Sequence, residues 1–463
     1  MTAITMYRKF NILIITVILT GCGRYLDVQP QGEVIPRTDE EFASILHTRL
    51  REIEGGGDEC IIGNMEVIAR LEGCADDLDA NIASGSLTLY SGECINTMQL
   101  YYEDIWEVVR DCNILIENLS GRSTETAASS LSAAYAIKGI CYYNLLRNFC
   151  QPWNDGKADE LPGIPVVDKF DINAKPLRGT VRQTYEYIDG LFRKSLELNP
   201  KDKTYIFTEW IVKAYRAKLA FWCCDWPGTR EICGDILDNS GFILTPAPEY
   251  EEMINSKYDT IGEVLVRSHI NNSSELDWYF TYMKGYLASR PACASLIKLF
   301  GPEPEKDVRY AASFDRKRFN VKVPECRVRL SEIVLMMAEA AYHENDRETA
   351  LRWLNELRHN RIEGVEPLTE DNLPAVRDDD RIKVDVYGKP LTPLLQAIFD
   401  ERRKELYMEG DRWFELKRNG RPEWWIISNG LKYSTLEYLY TAPVSKQDVD
   451  LNPDFEQNPG YVY

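Results

Sequence analysis

The sequence predicts an all-α fold of tetratricopeptide-like helix pairs with long loop excursions. Three observations lead to this prediction. Apolar residues recur with helical spacing along most of the 463-residue chain, one helix hairpin has the length of a single repeat, and strand-like alternation is sparse. Aromatic residues make up 11% of the chain, enough apolar surface to offset the chain entropy lost on folding.

The amino end predicts an export signal that finishes at a lipidated cysteine. Arg8 and Lys9 precede an apolar segment over residues 10–19, and the sequence Leu-Thr-Gly-Cys then ends at Cys22. The apolar segment is about half of the roughly 20 residues that span a bilayer, so a permanent transmembrane helix is not expected. Leu-x-Gly-Cys resembles the lipobox of bacterial lipoproteins, in which the cysteine carries the lipid.

The rest of the chain is interpreted as a tether and one domain. We expect a signal peptide over residues 1–21, a lipidated tether over 22–38 and a single domain over 39–463. Removing the signal peptide removes Arg8 and Lys9 and no acidic residue, so the formal net charge changes from -19 to -21.

Helical spacing is clearest between residues 328 and 361. Leu330, Ile333 and Met337 share one helical face, and a second apolar stripe follows Asn345-Asp346. This length of about 34 residues is that of a tetratricopeptide repeat, whose helix pairs bury their apolar faces by stacking. Further helices are predicted near residues 39–54, 97–119, 129–149, 180–198, 229–239 and 392–418.

Short strands are predicted near 261–268 and 317–323. The long connections, rich in Pro, Gly and Asp, cover residues 151–179, 240–327 and 362–391. Loops of this length on a rigid scaffold often carry function, because the scaffold holds their ends in place.

The cysteines do not form a metal-binding pattern. Eleven follow Cys22, so at least one is unpaired, and the sequence leaves open whether the others form disulfides. Cys112 and Cys141 fall in apolar helical stretches, where a small buried hydrophobic residue is expected. The sequence has no paired C-x-x-C motif of the kind that binds zinc.

Composition and motifs argue against several classes of function. A net charge of -19 with no basic stripe makes nucleic acid an unexpected partner. Motifs of zinc proteases, serine hydrolases and phosphate-binding loops are absent. Asp77-x-Asp79-x-Asn81 begins like a calcium loop, but Ile82 and Thr88 stand where it requires glycine and glutamate. We therefore expect no enzyme, cofactor or metal, with a paired-carboxylate glycoside hydrolase as the catalytic alternative.

Three stretches in order along the chain carry a family resemblance. They are Tyr25-Leu26-Asp27 with Thr38-Asp39-Glu40-Glu41-Phe42, Phe399-Asp400-Glu401-Arg402-Arg403-Lys404-Glu405-Leu406 with Gly410-Asp411-Arg412-Trp413-Phe414, and Ala442-Pro443-Val444 with Asn458-Pro459-Gly460-Tyr461. Together they resemble the SusD/RagB family of outer-membrane nutrient-binding lipoproteins of Bacteroidetes.

The resemblance implies a SusD-like α-superhelix and a function in nutrient uptake. The expected protein is anchored by lipid in the outer membrane, is exposed at the cell surface, captures an oligosaccharide, and delivers it to a SusC-type TonB-dependent transporter. Oligopeptide capture of the RagB kind is the nearest alternative. A glycoside hydrolase and a lipoprotein that only covers its channel are further alternatives.

The resemblance also implies that the glycan lies on an aromatic arc made by two loop regions. Carried over to this chain, the candidate ligand-binding residues are Asp77, Tyr90, Trp278, Tyr279 and Tyr282. Flat aromatic rings pack against the apolar faces of sugars, and nearby polar groups bind the hydroxyls. Any one of these aromatic residues could equally belong to the core.

The run at residues 399–406 is interpreted as architecture. Arg402 or Arg403 must fall on an apolar helical stripe, where an unpaired guanidinium is costly. Glu401, Glu405 and Glu409 are the expected partners. Replacing both arginines with Met is expected to change stability far more than ligand affinity.

Overall fold

The fold was analysed on a computed structural model. It describes residues 36–79, 91–169, 171, 173–199, 203–256, 260–268, 290–322, 324–428 and 430–462. The signal peptide, Cys22 and most of the tether lie outside these residues, so their assignments and the single-domain division stay predictions.

Helices make up most of the described chain and confirm the predicted fold class. In chain order they are α1 Asp39–Glu54, α2 Met65–Cys74, α3 Ser91–Leu119, α4 Glu125–Phe149, α5 Val181–Glu197, α6 Glu209–Trp222, α7 Trp226–Asn239, α8 Ala247–Asn255, α9 Ala294–Ile297, α10 Val308–Ser313, α11 Leu330–His343, α12 Arg347–His359, α13 Pro393–Glu405, α14 Arg412–Arg418 and α15 Lys446–Leu451.

Several predicted helix boundaries are accurate because side chains cap them. Thr38 Oγ1 accepts the Glu41 N–H at 3.2 Å, while the Glu41 carboxylate accepts the Thr38 N–H at 3.1 Å. Thr180 and Gln183 make the same reciprocal pair at the start of α5. Such capping boxes satisfy N–H groups that have no partner within the helix.

Successive helices pack in a continuous series. Each of α3, α4, α5 and α6 contacts the next helix, α11 packs on α7 and α12, and α1 lies across α3 and α4. The predicted hairpin of residues 328–361 is confirmed as α11 and α12. One apolar core runs through the series, from Phe42 in α1 to Phe455 near the carboxyl end.

The described strands form three antiparallel pairs. They are β1 Pro162–Pro165 with β2 Arg178–Thr180, β3 Val264–Arg267 with β4 Arg327–Arg329, and β5 Trp424–Ser428 with β6 Leu431–Thr435. The prediction near 261–268 is confirmed by β3. The prediction over 317–323 is wrong, because Arg318 has a left-handed backbone with φ of 68° and the segment makes a turn.

The single helix predicted over 392–418 is also wrong in its middle. It is divided into α13 and α14, because Met408 and Gly410 have positive φ angles of 59° and 75°. A Cβ atom on Gly410 would lie 2.8 Å from Leu71 Cδ1, so glycine is also needed for the close approach of α2.

Buried charges hold α13 to segments distant in sequence. Ten directly contacting charged side chains, each under 10% exposed, make what we call the central ion network. They are Glu263, Asp307, Glu401, Glu405 and Glu409 with Arg309, Lys322, Arg329, Arg361 and Lys404. The five acids balance the five bases, which is the condition under which buried charges are tolerated.

Glu405 is at the centre of this network. Its carboxylate accepts from Arg309 Nη1 at 3.2 Å, Arg329 Nη1 at 2.7 Å and Arg361 Nε at 3.1 Å. Burial alone raises the pKa of Glu405, but the charges of Arg361, Arg329 and Arg309 outweigh burial and hold it well below its ordinary value.

The expected burial of Arg402 and Arg403 is correct, but the expected partners are wrong. Arg402 Nε donates to Asp411 at 2.8 Å, and Arg403 Nε donates to Asp77 at 2.6 Å. Both side chains are at most 5% exposed. Glu401, Glu405 and Glu409 belong instead to the central ion network.

The described cysteines behave as small buried residues. None of the ten cysteines whose side chains the structure describes is in a disulfide, and among these ten only Cys224 and Cys326 are partly exposed. Burial raises the pKa of Cys112 to about 12, so its thiol stays protonated at neutral pH. The helices of the described residues are all too short or too polar to cross a membrane.

Candidate functional site

The residues just before segment 80–90 and just after segment 269–289, the two segments that carry the predicted aromatic residues, meet at one place on the scaffold. Leu78 and Ala292 form an antiparallel bridge. Beside it, the Asp79 N–H donates to the Pro291 carbonyl and the Cys293 N–H donates to the Asp77 carbonyl, both at 2.8 Å. The described ends of segments 80–90 and 269–289 are therefore hydrogen-bonded side by side.

Two arginines fasten this junction. The buried Arg290 donates from Nε to the Asp79 carbonyl at 2.8 Å and from Nη2 to the Leu78 carbonyl at 3.1 Å. Arg318 donates from Nη1 to the Ala292 carbonyl at 2.8 Å, and its own carbonyl accepts the Ala292 N–H at 2.9 Å. The junction is thus held by backbone pairing and by two guanidinium groups.

An ion pair remains open to solvent at the junction. Arg318 Nη1 lies 3.3 Å from Asp79 Oδ2, and the two side chains are 38% and 45% exposed. The left-handed backbone of Arg318 belongs to a turn in which the Asp315 carboxylate accepts the N–H groups of Lys317 and Phe319, at 2.7 and 2.9 Å. Strain of this kind persists where the surrounding structure enforces it.

We name the exposed area formed by the Asp79 and Arg318 side chains the loop-stem face. A carboxylate and a guanidinium together supply acceptors and donors, the combination that binds neighbouring sugar hydroxyls. Both groups are exposed and oppositely charged, so they can exchange their contact with each other for contacts to a polar ligand at a small cost.

Asp77 does not contribute to this face. Its carboxylate is fully buried and accepts from Arg403, while the neighbouring Asp76 accepts from Arg412 Nε at 2.7 Å. Burial is the largest influence on the pKa of Asp77 and raises it. For Asp76, the charges of Arg412 and Arg403 outweigh burial and lower the pKa. The carboxylate of Asp77 therefore fastens α13 beneath the junction, and we leave it out of the ligand face.

The other predicted site residues lie outside the described part of the chain. These are Tyr90, Trp278, Tyr279 and Tyr282, and their contact with ligand stays a prediction. Tyr90 is bonded to Ser91, the first residue of α3, and the Ser91 Oγ lies 2.7 Å from the Thr435 Oγ1 of β6. Ser91, the residue that follows segment 80–90, thereby contacts the β5–β6 hairpin.

Sequence reasoning missed this hairpin, although its signal was present. Asn429-Gly430 separates two runs rich in aromatic and β-branched residues, a strong indication of a two-residue hairpin turn. Gly430 has a φ of 77°, as such a turn requires. Trp425 in β5 is 54% exposed.

A groove of about 750 Å³ lies between α3 and α15 and is the main competing location. Its lining includes Tyr102, Trp106 and Asp448. The Trp106 ring makes edge contacts with Tyr102 at 6.0 Å and Tyr142 at 5.7 Å, measured between ring centroids. These aromatic rings pack against one another and present less flat surface than the exposed hairpin does.

The described residues hold no cluster of three His, Cys, Asp or Glu side chains arranged to bind a metal ion. The calcium-like sequence at 77–81 begins with a carboxylate that Arg403 already occupies. The described part of the site presents the exposed carboxylate of Asp79 and guanidinium of Arg318.

Two family models match the sequence. Residues 300–461 match the SusD family, and residues 24–220 match a SusD-like family described as starch-binding and associating with the outer membrane. Among curated proteins, none matches the chain.

Solved structures of the same superfamily share the fold. A SusD superfamily protein from Bacteroides thetaiotaomicron is 20% identical with a TM-score of 0.72, over 91% of this chain and 100% of that one. A SusD-like carbohydrate binding protein from Bacteroides vulgatus is 16% identical with a TM-score of 0.67, over 92% and 100%. A laminarin binding SusD-like protein is 15% identical with a TM-score of 0.59, over 91% and 99%.

Proposed function

Because the chain belongs to the SusD family, a family of starch- and sugar-binding proteins associated with the outer membrane, we propose that it captures an oligosaccharide at the loop-stem face. The protein then passes the oligosaccharide to a SusC-type TonB-dependent transporter. In this proposal it binds the glycan without cleaving it.

One observation carries the proposal. The described ends of the two segments that contain Tyr90 and Trp278, Tyr279 and Tyr282 are joined by the Leu78–Ala292 bridge. The two segments are distant in sequence, but one end of each lies at the same junction. This arrangement supports a shared binding surface. The exposed Asp79–Arg318 pair lies at the same junction and supplies the polar contacts.

The chemistry of the junction suits a neutral, hydroxyl-rich ligand. Aromatic rings supply the apolar contact to sugar faces, and an exposed carboxylate and guanidinium supply hydrogen bonds of both directions. Glycan capture requires only modest affinity per contact, because a transporter accepts the ligand afterwards and must be able to remove it.

Binding measurements test the proposal directly. We expect the purified protein to bind members of a glycan array, and isothermal titration with the best glycan to show about tenfold weaker binding for Trp278→Ala and for Tyr282→Ala. Ile243→Ala is the control, because Ile243 is 71% exposed on another part of the scaffold.

Three results would overturn the proposal. They are binding of peptides with no binding of glycans, release of shorter products from the bound glycan, and wild-type affinity in both aromatic variants. Tight co-purification with the transporter and no binding of any ligand would assign the protein to channel closure instead.

Lipidation of Cys22 is part of the same proposal. Several acyl chains on one residue would hold the protein at the outer membrane, since each buried methylene contributes about 0.8 kcal/mol. Cys22→Ser is expected to move the protein from the membrane fraction to the soluble fraction. Protease treatment of intact cells then distinguishes the outer face of that membrane from the inner face.

A further inference from the structure

The β5–β6 hairpin presents a large apolar surface to solvent. Trp425 and Ile427 lie on its outer side, opposite Ser434 and Lys432, and are 54% and 57% exposed. Leu431 at the turn is 60% exposed. An exposed apolar patch on a folded protein commonly marks a binding surface, because it costs solvation free energy that burial would recover.

The inner side of the hairpin is linked to residues that are close in sequence to the loop-stem face. Thr435 contacts Ser91, the residue that follows Tyr90. The Arg381 guanidinium lies 4.5 Å from the centroid of the Trp424 ring and 3.6 Å from the Asp76 carboxylate, three residues before Asp79. The hairpin is therefore connected to Ser91, which follows segment 80–90, and through Arg381 to Asp76, which directly precedes the junction.

The Trp425 indole has the form of a sugar-stacking platform. The Lys432 ammonium lies 5.2 Å from its ring centroid, and more than half of the residue is still exposed. A cation near an indole restrains the ring, and a restrained flat ring loses little entropy when a sugar packs against it.

We propose that Trp425 is an additional glycan contact, which extends the loop-stem face and makes the protein select longer oligosaccharides over short ones. The inference rests on the proposed function, because it requires a glycan at the loop-stem face. A short sugar would contact the stem region alone, whereas a longer chain would reach the hairpin as well.

The continuity of the hairpin with the loop-stem face favours a glycan over a protein partner. Trp425 supplies a ring, and the side chains around it, Lys432 and Ser434, supply hydrogen-bond donors for hydroxyl groups. A docking site for protein would rely equally on Ile427 and Leu431. The two occupants therefore make different predictions for aliphatic and aromatic substitutions.

The experiment measures how affinity depends on chain length. Maltooligosaccharides and laminarioligosaccharides, from disaccharide to heptasaccharide, are titrated into the wild type and into Trp425→Ala, Trp425→Phe and Ile427→Ala. We expect Trp425→Ala to weaken heptasaccharide binding about tenfold and to leave the disaccharide within about twofold. Trp425→Phe should be intermediate, and Ile427→Ala should bind like the wild type.

Several outcomes overturn the inference. One is wild-type heptasaccharide affinity in Trp425→Ala. Another is an equal loss at every chain length, and a third is glycan affinity that is unchanged while both Trp425→Ala and Ile427→Ala lose the transporter on co-purification. If the wild type binds neither series nor any arrayed glycan, the proposed function itself fails. Circular dichroism and the Phe variant separate loss of a contact from loss of the fold.

Discussion

Replacing Glu405 with Gln is expected to destabilise the protein strongly while preserving the shape of the side chain. The carboxylate is fully buried and accepts from three guanidinium groups, those of Arg309, Arg329 and Arg361. Gln keeps one acceptor oxygen and places an amide NH₂ where the second oxygen faces arginine donors. The central ion network would then contain four acids and five bases.

The magnitude follows from this loss of balance. Removing one partner of a buried ion pair costs about 3–5 kcal/mol, because the remaining charge is left uncompensated. Arg309 still pairs with Asp307 and Glu401 in the variant, and Arg329 still pairs with Glu263 and Glu409. The expected loss of stability is therefore that of one broken ion pair and not of three. A domain of this kind has about 5–15 kcal/mol of total stability, so the change is a large fraction.

Chemical denaturation followed by tryptophan fluorescence and by circular dichroism measures the effect. We expect Glu405→Gln to lower the free energy of unfolding by about 3–5 kcal/mol and the melting temperature by about 5–10 °C. The matched control is Glu117→Gln, since Glu117 is exposed on α3, and its effect should stay within about 0.5 kcal/mol. Equal stability of Glu405→Gln and wild type would refute the electrostatic reasoning.

Two further predictions concern the same buried charges. The pKa values of Glu401 and Glu409 are about 2, because Lys404 and Arg309 for the first, and Arg329 and Lys322 for the second, outweigh burial. In an unfolded chain the pKa of a glutamate is about 4.3, so the two carboxylates stabilise the fold fully above that pH. The urea midpoint should therefore fall as the pH decreases from about 4.5 to 2. A midpoint that does not change over this range would contradict the prediction. Replacing both Arg402 and Arg403 with Met leaves Asp411 and Asp77 unpaired. We expect the free energy of unfolding to fall by several kcal/mol, while the glycan affinity stays within about twofold of the wild type. A stable double variant that has lost its glycan affinity would place the arginines in the ligand site.

The helical architecture could be predicted from the sequence because its signals are local. Spacing of Leu330, Ile333 and Met337 indicated α11, and the helix predicted near 39–54 agrees with α1. The break between α13 and α14 was missed although Gly410 was visible. An isolated glycine does not show that the chain reverses there, and the packing that requires it comes from Leu71, far away in sequence.

The candidate site was less predictable because its contacts are long-range. Arg403 was expected to pair with nearby acids among Glu401, Glu405 and Glu409. It pairs instead with Asp77, which is distant in sequence and comes near only in the folded chain. Periodicity shows which side chains are buried but not which buried partner they meet. Trp425 was a different case, because its signal is local. Asn429-Gly430 indicated a hairpin turn, but the hairpin was not predicted, and neither was the exposure of Trp425 on its outer side.

The bridge between Leu78 and Ala292 joins the scaffold at one end of each of segments 80–90 and 269–289. The residues directly before segment 80–90 and directly after segment 269–289 are tied together by main-chain hydrogen bonds, and the Nε and Nη2 groups of Arg290 donate to main-chain carbonyls there. Main-chain partners do not depend on residue identity, so the inserted segments can change in length and sequence while the attachment stays the same. The scaffold can in this sense hold different loops at the same attachment. We expect that transplanting both segments together from a relative changes the sugar preference.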